Sequence, residues 1–318
     1  MILPKSQIYQ YIRKTYRAVL PIIPGVLLDA MVLITAKKWS QFVSMFILEV
    51  LFFSGKQEDA ERLVGLWVHK FLSKRTDPFD QFPVGAPTKM PPSQRSVSFA
   101  SVLSRFYEAV APLQSQPFLA FGTLLGYVRE KDFIQWDKDI DIGFFKETVD
   151  LAKLKRGLRR AGFRIVEDSS DGSPYKLKCQ FGNSPLVEVV LFGMENGHCI
   201  TYGAVMGQFI KRYRKPFRLK AVPFLETTVY VPDPPEEFLT ENYGNWQHPQ
   251  PIYSHIFHSE LTDYNSSIIR FYAKRTFCAH LLEGNALKIT HFLELFVHKY
   301  PNDPFWTVLQ KRLTPFLP

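Results

Sequence analysis

Two aspartates separated by one apolar residue, in Asp139-Ile140-Asp141-Ile142, constrain this chain more than any other feature. Polar and apolar residues alternate there as in a half-buried strand. A period of two puts both carboxylates on one face and both isoleucines on the other. Like charges aimed at one point repel, so the fold must supply compensation. The usual form is a hard divalent cation held by oxygen ligands. Upstream, the apolar run Phe118 to Phe121 leads into Gly122-Thr123 and a short periodic segment, Leu124 to Val128. That pattern reads as a strand, a tight turn and a helix start. Gly122 would give the turn its conformational freedom, and Thr123 would serve as N-cap.

A third carboxylate lies downstream in Ser184-Pro185-Leu186-Val187-Glu188-Val189-Val190-Leu191-Phe192, where Glu188 is the lone charge in an apolar strand pattern. A buried charge there is costly unless it is paired or on a metal. An Asp-x-Asp by itself also suits a surface turn or cap. The glycine turn adds a phosphate cradle, because backbone N–H groups and a helix N-terminus accept anionic oxygens. Asp139, Asp141 and Glu188 on adjacent strands, facing Gly122-Thr123, would form a metal-assisted phosphoryl-transfer site.

The stretch Gly122 to Phe145, GTLLGYVREKDFIQWDKDIDIGFF, resembles the signature of the LicD/fukutin family. The resemblance covers approximately residues 96–250. It implies an α+β, nucleotidyltransferase-like (polymerase-beta-like) mixed sheet with helices. It also implies transfer of a phosphorylated alcohol, such as phosphocholine or ribitol phosphate, from a CDP-linked donor to a glycan acceptor. Asp139 and Asp141 fall on the family's metal-binding aspartates, and Gly122 and Thr123 on its glycine turn. Glu188 stands where the family usually has Asp, and Lys138 where many bacterial members have another Asp. Val229-Tyr230-Val231-Pro232 and Glu241-Asn242-Tyr243-Gly244-Asn245-Trp246 are similar to the family's closing segment.

Around these residues, Arg129 can fork onto a phosphate of the donor. Asp137 has the same parity as Asp139 and would be an outer-shell or substrate ligand. The cluster FIKRYRKPFRLK, Phe209 to Lys220, contains Lys211 and Arg212 and can neutralise donor phosphates or grip an anionic acceptor. No RNA or DNA module signature accompanies it, which argues against nucleic acid. The formal charge of +9 points to anionic partners without choosing among them. Three scattered cysteines, Cys179, Cys199 and Cys278, offer no disulfide framework and no zinc-ligand spacing. Lone His198, His255, His258 and His280 read as hydrated or core residues.

Four segments are expected. Residues 1–76 would form a helical subdomain, 77–95 a linker, 96–250 the catalytic domain and 251–318 a helical extension. The stretch Ala18 to Ala36 is nearly long enough to span a membrane. However, Pro21, Pro24, Gly25 and Asp29 interrupt it, so it suits a buried hairpin or a helix lying on a membrane. Helical periodicity follows over Trp39 to Phe53 and Glu58 to Leu72. Sparse cysteine favours a reducing, cytoplasmic compartment with peripheral membrane contact. The alternative implied by fukutin relatives is a Golgi lumen and an N-terminal anchor. Further helices are expected over Ser98 to Ala111, Leu151 to Ala161, Pro234 to Asn242 and three segments of the tail. Short strands would fill the middle, which suits an α+β sheet and not a doubly wound one.

In the mechanism this implies, Asp139 and Asp141 hold Mg²⁺ (or Mn²⁺) against the donor's diphosphate. Glu188 completes the metal set or takes the proton of the attacking sugar hydroxyl. The Gly122-Thr123 turn and Arg129 stabilise developing charge. A nucleotidyl transfer on the same fold and a non-catalytic membrane-associated scaffold are the competing readings.

Overall fold

The computed structural model describes residues 92–135, 137–168, 176–206, 208–283 and 285–316, with isolated positions between 52 and 65. The N-terminal apolar stretch, most of both expected N-terminal helices and most of the expected linker lie outside the described residues. Among the described residues no helix is long and apolar enough to cross a membrane. The chain divides into two compact units, Ala86–Thr262 and one that includes the helices after Asp263.

The first unit opens on helix α1, Pro92–Val110, which begins inside the segment expected to be linker. Pro92 suits a first helical position because it has no N–H to leave unsatisfied. Strand β1, Phe118–Leu119, is followed by helix α2, Phe121–Leu125, and a π-helical turn, Gly126–Glu130. Strand β2, Asp139–Phe145, buries Ile140 and Ile142 and leaves Asp139 and Asp141 on the half-exposed face, as the alternation requires. Helix α3, Leu151–Arg160, is capped by the Asp150 side chain, which accepts from Lys153 N. It buries Leu154 and Leu158 and turns its basic residues outward.

Strands β3 (Phe163–Asp168), β4 (Lys176–Phe181), β5 (Leu186–Glu195), β6 (His198–Val205), β7 (Gln208–Arg214), β8 (Arg218–Phe224) and β9 (Thr227–Asp233) complete a mixed sheet. Helix α4, Pro235–Tyr243, closes the unit. Strand order runs β3-β4-β5-β2-β1-β9-β8, and β6 and β7 extend from the far end of β5. The central pair β2–β5 is parallel, β1–β9 is parallel, and the remaining pairs are antiparallel. This is the α+β nucleotidyltransferase-like architecture, with an open sheet flanked by helices.

Aromatic packing holds the sheet together. Phe118, Phe192, Phe217 and Phe238 form a cluster with ring centroids 5.0–6.0 Å apart. Arg214 joins it, fully buried with its guanidinium 4.1 Å from the Phe238 centroid and donating to Asn242 Oδ1. Burial lowers its pKa to about 10. Part of the basic cluster read from the sequence is therefore core, not surface.

In the second unit, helices α5 (Ser267–Glu283), α6 (Ala286–Lys299) and α7 (Pro304–Leu313) surround Trp306, Phe277 and Phe296. Asp303 caps α7 by accepting from Phe305 N, and it pairs with the buried Lys274 at 3.0 Å. A buried cation is tolerable only with such a partner.

Candidate functional site

The site is built where β2 meets the turn from β1 into α2. Phe121 adopts a left-handed φ of 41°, so the freedom expected of Gly122 is exercised one residue earlier. Gly122 is needed for close approach instead. A Cβ there would stand 2.7 Å from Asp137 Oδ2 and 3.2 Å from Asp141 Oδ2. Its N–H donates to Asp141 Oδ2 at 2.9 Å. Thr123 is not the N-cap; that position belongs to Ala120, which makes no side-chain cap bond. The Thr123 hydroxyl is buried and accepts from Asp141 N at 2.8 Å, clamping the strand to the helix.

Three carboxylates therefore crowd one point. Asp139 is held above the usual carboxylate range, first by burial and then by the charge of Glu188, while the Lys178 ammonium and, to a lesser degree, Asp137 and Lys176 pull it back. Asp141 is raised well above that range by burial, with Asp137, Asp139 and Glu188 adding repulsion in that order. Asp141 keeps some accessible surface, but its carboxyl group is enclosed by these acids. The raised values mean that burial, and then mutual repulsion, disfavour the ionised cluster.

Glu188 differs. The parallel register puts it beside Asp141, and the antiparallel register puts it beside Lys178 on β4. Lys176 Nζ lies 2.6 Å from Glu188 Oε1, and Lys178 Nζ lies 3.2 Å from Oε2. Both oxygens are thus engaged by ammonium groups, and Glu188 does not stand open as the expected third ligand. Among the described residues no group of three acidic, histidine or cysteine side chains is arranged to hold a metal ion. The aspartates themselves still suit a hard dication. Their donors are all oxygen, two of them converge over a glycine, and their mutual repulsion is what such a charge relieves.

Two cavities flank the aspartates. The smaller, about 200 Å³, is lined by Gly122, Arg129 and Asp137 together with Tyr243, Trp246 and Gln250. The larger, about 380 Å³, is lined by Asp141, Lys176, Glu188, Tyr202, Arg212 and His255, among others. Tyr243 and Tyr253 border both. Arg129 sits in the wall of the smaller one, its Nε on Glu130 at 2.8 Å and a terminal nitrogen donating to Trp246 O at 3.1 Å.

Lys211 and Arg212, expected to act together, are separated by the strand's alternation. Lys211 is outward and bonded to Glu195 at 2.7 and 2.9 Å. Arg212 is buried, donates to His255 O at 2.7 Å and reaches the larger cavity. His198 lies at the β5–β6 turn with its ring on Asn196 O and lines neither cavity. The lysine pair at 176 and 178 was missed in the sequence. Its signal was the alternation Lys176-Leu177-Lys178-Cys179, but the register that sets Lys178 opposite Glu188 was not readable. Gln250 was missed too, since it carries no motif.

Comparison with known proteins bears on this geometry. Residues 115–234 match the family model described as LicD/FKTN/FKRP, nucleotidyltransferase domain. Over 142 residues the chain is 32% identical to the ribitol-5-phosphate transferase FKTN of Homo sapiens, covering 42% of this chain and 30% of that protein. The FKTN proteins of Macaca fascicularis and Mus musculus match to the same extent. The matched stretch thus spans under a third of the length of these relatives. Among solved structures, the antibiotic-resistance factor ANT(2'')-Ia aligns with a TM-score of 0.35 at 13% identity, covering 65% of this chain and 95% of that one. The lincomycin-bound lincosamide adenylyltransferase LnuA aligns at 0.32 and 11% identity, covering 54% of this chain and 94% of that one.

Proposed function

We propose, from the match of residues 115–234 to the LicD/FKTN/FKRP nucleotidyltransferase model, that the chain is a metal-dependent transferase. It moves a phosphorylated alcohol from a CDP-linked donor to a sugar hydroxyl of a glycan. The observation that carries this reading is the convergence of Asp137 and Asp141 over Gly122, with Asp139 on the same face of β2 as Asp141. Asp139 and Asp141, with Asp137 beside them, would hold Mg²⁺ or Mn²⁺. The ion would supply Lewis-acid polarisation of the transferred phosphoryl group.

The remaining roles belong to this chain's own groups. Thr123 and the Gly122 N–H fix Asp141 in orientation through its backbone and side chain. Arg129 borders the cavity on the Asp137 side and offers charge to the donor's diphosphate. Glu188 holds Lys176 in the wall of the larger cavity, where its charge balances anionic groups entering it, and Lys178 binds the other Glu188 oxygen. CMP departs, and a phosphodiester joins alcohol and sugar.

The test is release of CMP from a panel of CDP-alcohols (choline, ribitol, glycerol) with Mg²⁺ and a glycan acceptor. Asp139→Asn should lower release on the order of 10³-fold or more. Turnover retained with both Asp139 and Asp141 replaced by Asn would overturn the reading. Pyrophosphate release from CTP in place of CMP release would point to nucleotidyl transfer.

A further inference from the structure

Both oxygens of Glu188 are engaged by lysines, yet the reaction still needs a group to take the proton of the attacking hydroxyl. The larger cavity holds one. His255 lines it together with Asp141, Lys176, Glu188 and Arg212. It lies beyond the matched family segment, on the irregular stretch after α4. Its backbone is held in place, because Arg212 donates to His255 O at 2.7 Å. The Arg212 guanidinium passes over Gly203, where a Cβ would stand 2.9 Å from Nε and Nη2 and would have to push it aside.

The ring itself is available. His255 is exposed, and among the described residues neither of its ring nitrogens makes a hydrogen bond. By contrast, His198, His248 and His258 each engage Nδ1 with a nearby group. Arg212 and Lys176 face the ring with positive charge, and Glu188 with negative charge. Desolvation in the cavity wall, then Arg212 and Lys176, push its pKa down to about 4. The imidazole is therefore neutral near pH 7, with one nitrogen able to accept a proton. It is roughly as basic as an ordinary aspartate, whose pKa is about 3.9. Unlike an aspartate, it adds no negative charge to a site already crowded with acids. Glu167, also in that wall, is exposed on β3 and lies 3.9 Å from Lys178.

We propose that His255 takes the proton of the acceptor hydroxyl as that oxygen attacks phosphorus, with the larger cavity as the acceptor's seat. The electron pair of the O–H bond stays on oxygen, which forms the new O–P bond. The bond from phosphorus to the CMP oxygen breaks, and its electrons leave with CMP. The proton rests on the imidazole, where the charge of Glu188 favours the imidazolium, and then passes to solvent. The proposal rests on the CDP-donor reading and supplies the base that Glu188, already engaged, does not.

The test follows CMP release by the full chain with Mg²⁺, the CDP-alcohols of choline, ribitol and glycerol, and a panel of methyl hexosides as acceptors. His255→Gln and His255→Ala should each lose about 10²–10⁴-fold in kcat, with donor KM and melting temperature unchanged. Free imidazole should restore part of the rate in His255→Ala, in proportion to its unprotonated fraction, and should do nothing for Asp139→Asn. Glu167→Gln should keep the wild-type rate. A wild-type rate in His255→Gln, a loss confined to KM, a His255→Ala rate that imidazole leaves unmoved, or an equal loss in Glu167→Gln would each overturn the proposal. Failure of the two readings is distinguishable. CMP release that survives His255→Gln undiminished removes the base and keeps the CDP donor. Pyrophosphate release from CTP that shows the same loss and imidazole rescue at residue 255 removes the CDP donor and keeps the base.

Discussion

Asp141 and Glu188 are the same kind of group on neighbouring parallel strands, paired directly across the ladder, yet their surroundings are opposite. Asp141 faces Asp137 and Asp139 and carries excess negative charge. Glu188 faces β4 and has an ammonium group on each oxygen. The difference shows how one sheet face can hold both an unsatisfied anionic focus and a neutralised structural pair a strand apart. Environment, not residue type, divides the roles.

The largest expected effect that sharpens this contrast comes at Gly122. In Gly122→Ala the new methyl group would displace Asp137 and crowd Asp141. Turnover should drop about 10–100-fold, with folding retained by circular dichroism, because misplacement near an ångström costs that much. An unchanged rate would mean the convergence over the turn is not catalytic. A smaller effect is expected at Glu188. Glu188→Gln removes the carboxylate shared by Lys176 and Lys178, leaving Lys178 the more distant Glu167 at 3.9 Å, and should destabilise the chain by about 1 kcal/mol in urea titration. The figure is modest because Lys176 is 39% exposed and screened by solvent. A stabilised Glu188→Gln would show that Glu188 belongs with the aspartates after all.

The alternation of Asp139 to Ile142, the strand character of Leu186 to Phe192 and the helices of the tail were legible because each rests on a local period. Strand β6 and the strand character of the basic cluster were not, since glycines and bases there mask the period of two. At the site, the aspartates could be read from spacing, and their neighbourhood with Glu188 from an expected sheet. The lysine clamp could not, because it depends on which residue of β4 sits opposite Glu188, a register no local pattern encodes. For the same reason Thr123 was assigned a capping role, although its hydroxyl is taken by a strand eighteen residues away in sequence.

The central claim is that the aspartate focus is held against its own repulsion until a cation arrives. A carboxyl whose pKa is raised on folding contributes stability at low pH and loses it as pH rises through the folded value. The direct measurement is the melting temperature of the wild type and Asp141→Asn, from acid to neutral pH, with and without Mg²⁺. Without the ion, Asp141→Asn should melt higher than the wild type at neutral pH, and the gap should close as acid protonates Asp141. Adding Mg²⁺ should raise the wild type and leave the variant nearly unmoved. A variant that melts lower at neutral pH, together with a wild type indifferent to Mg²⁺, would contradict the claim.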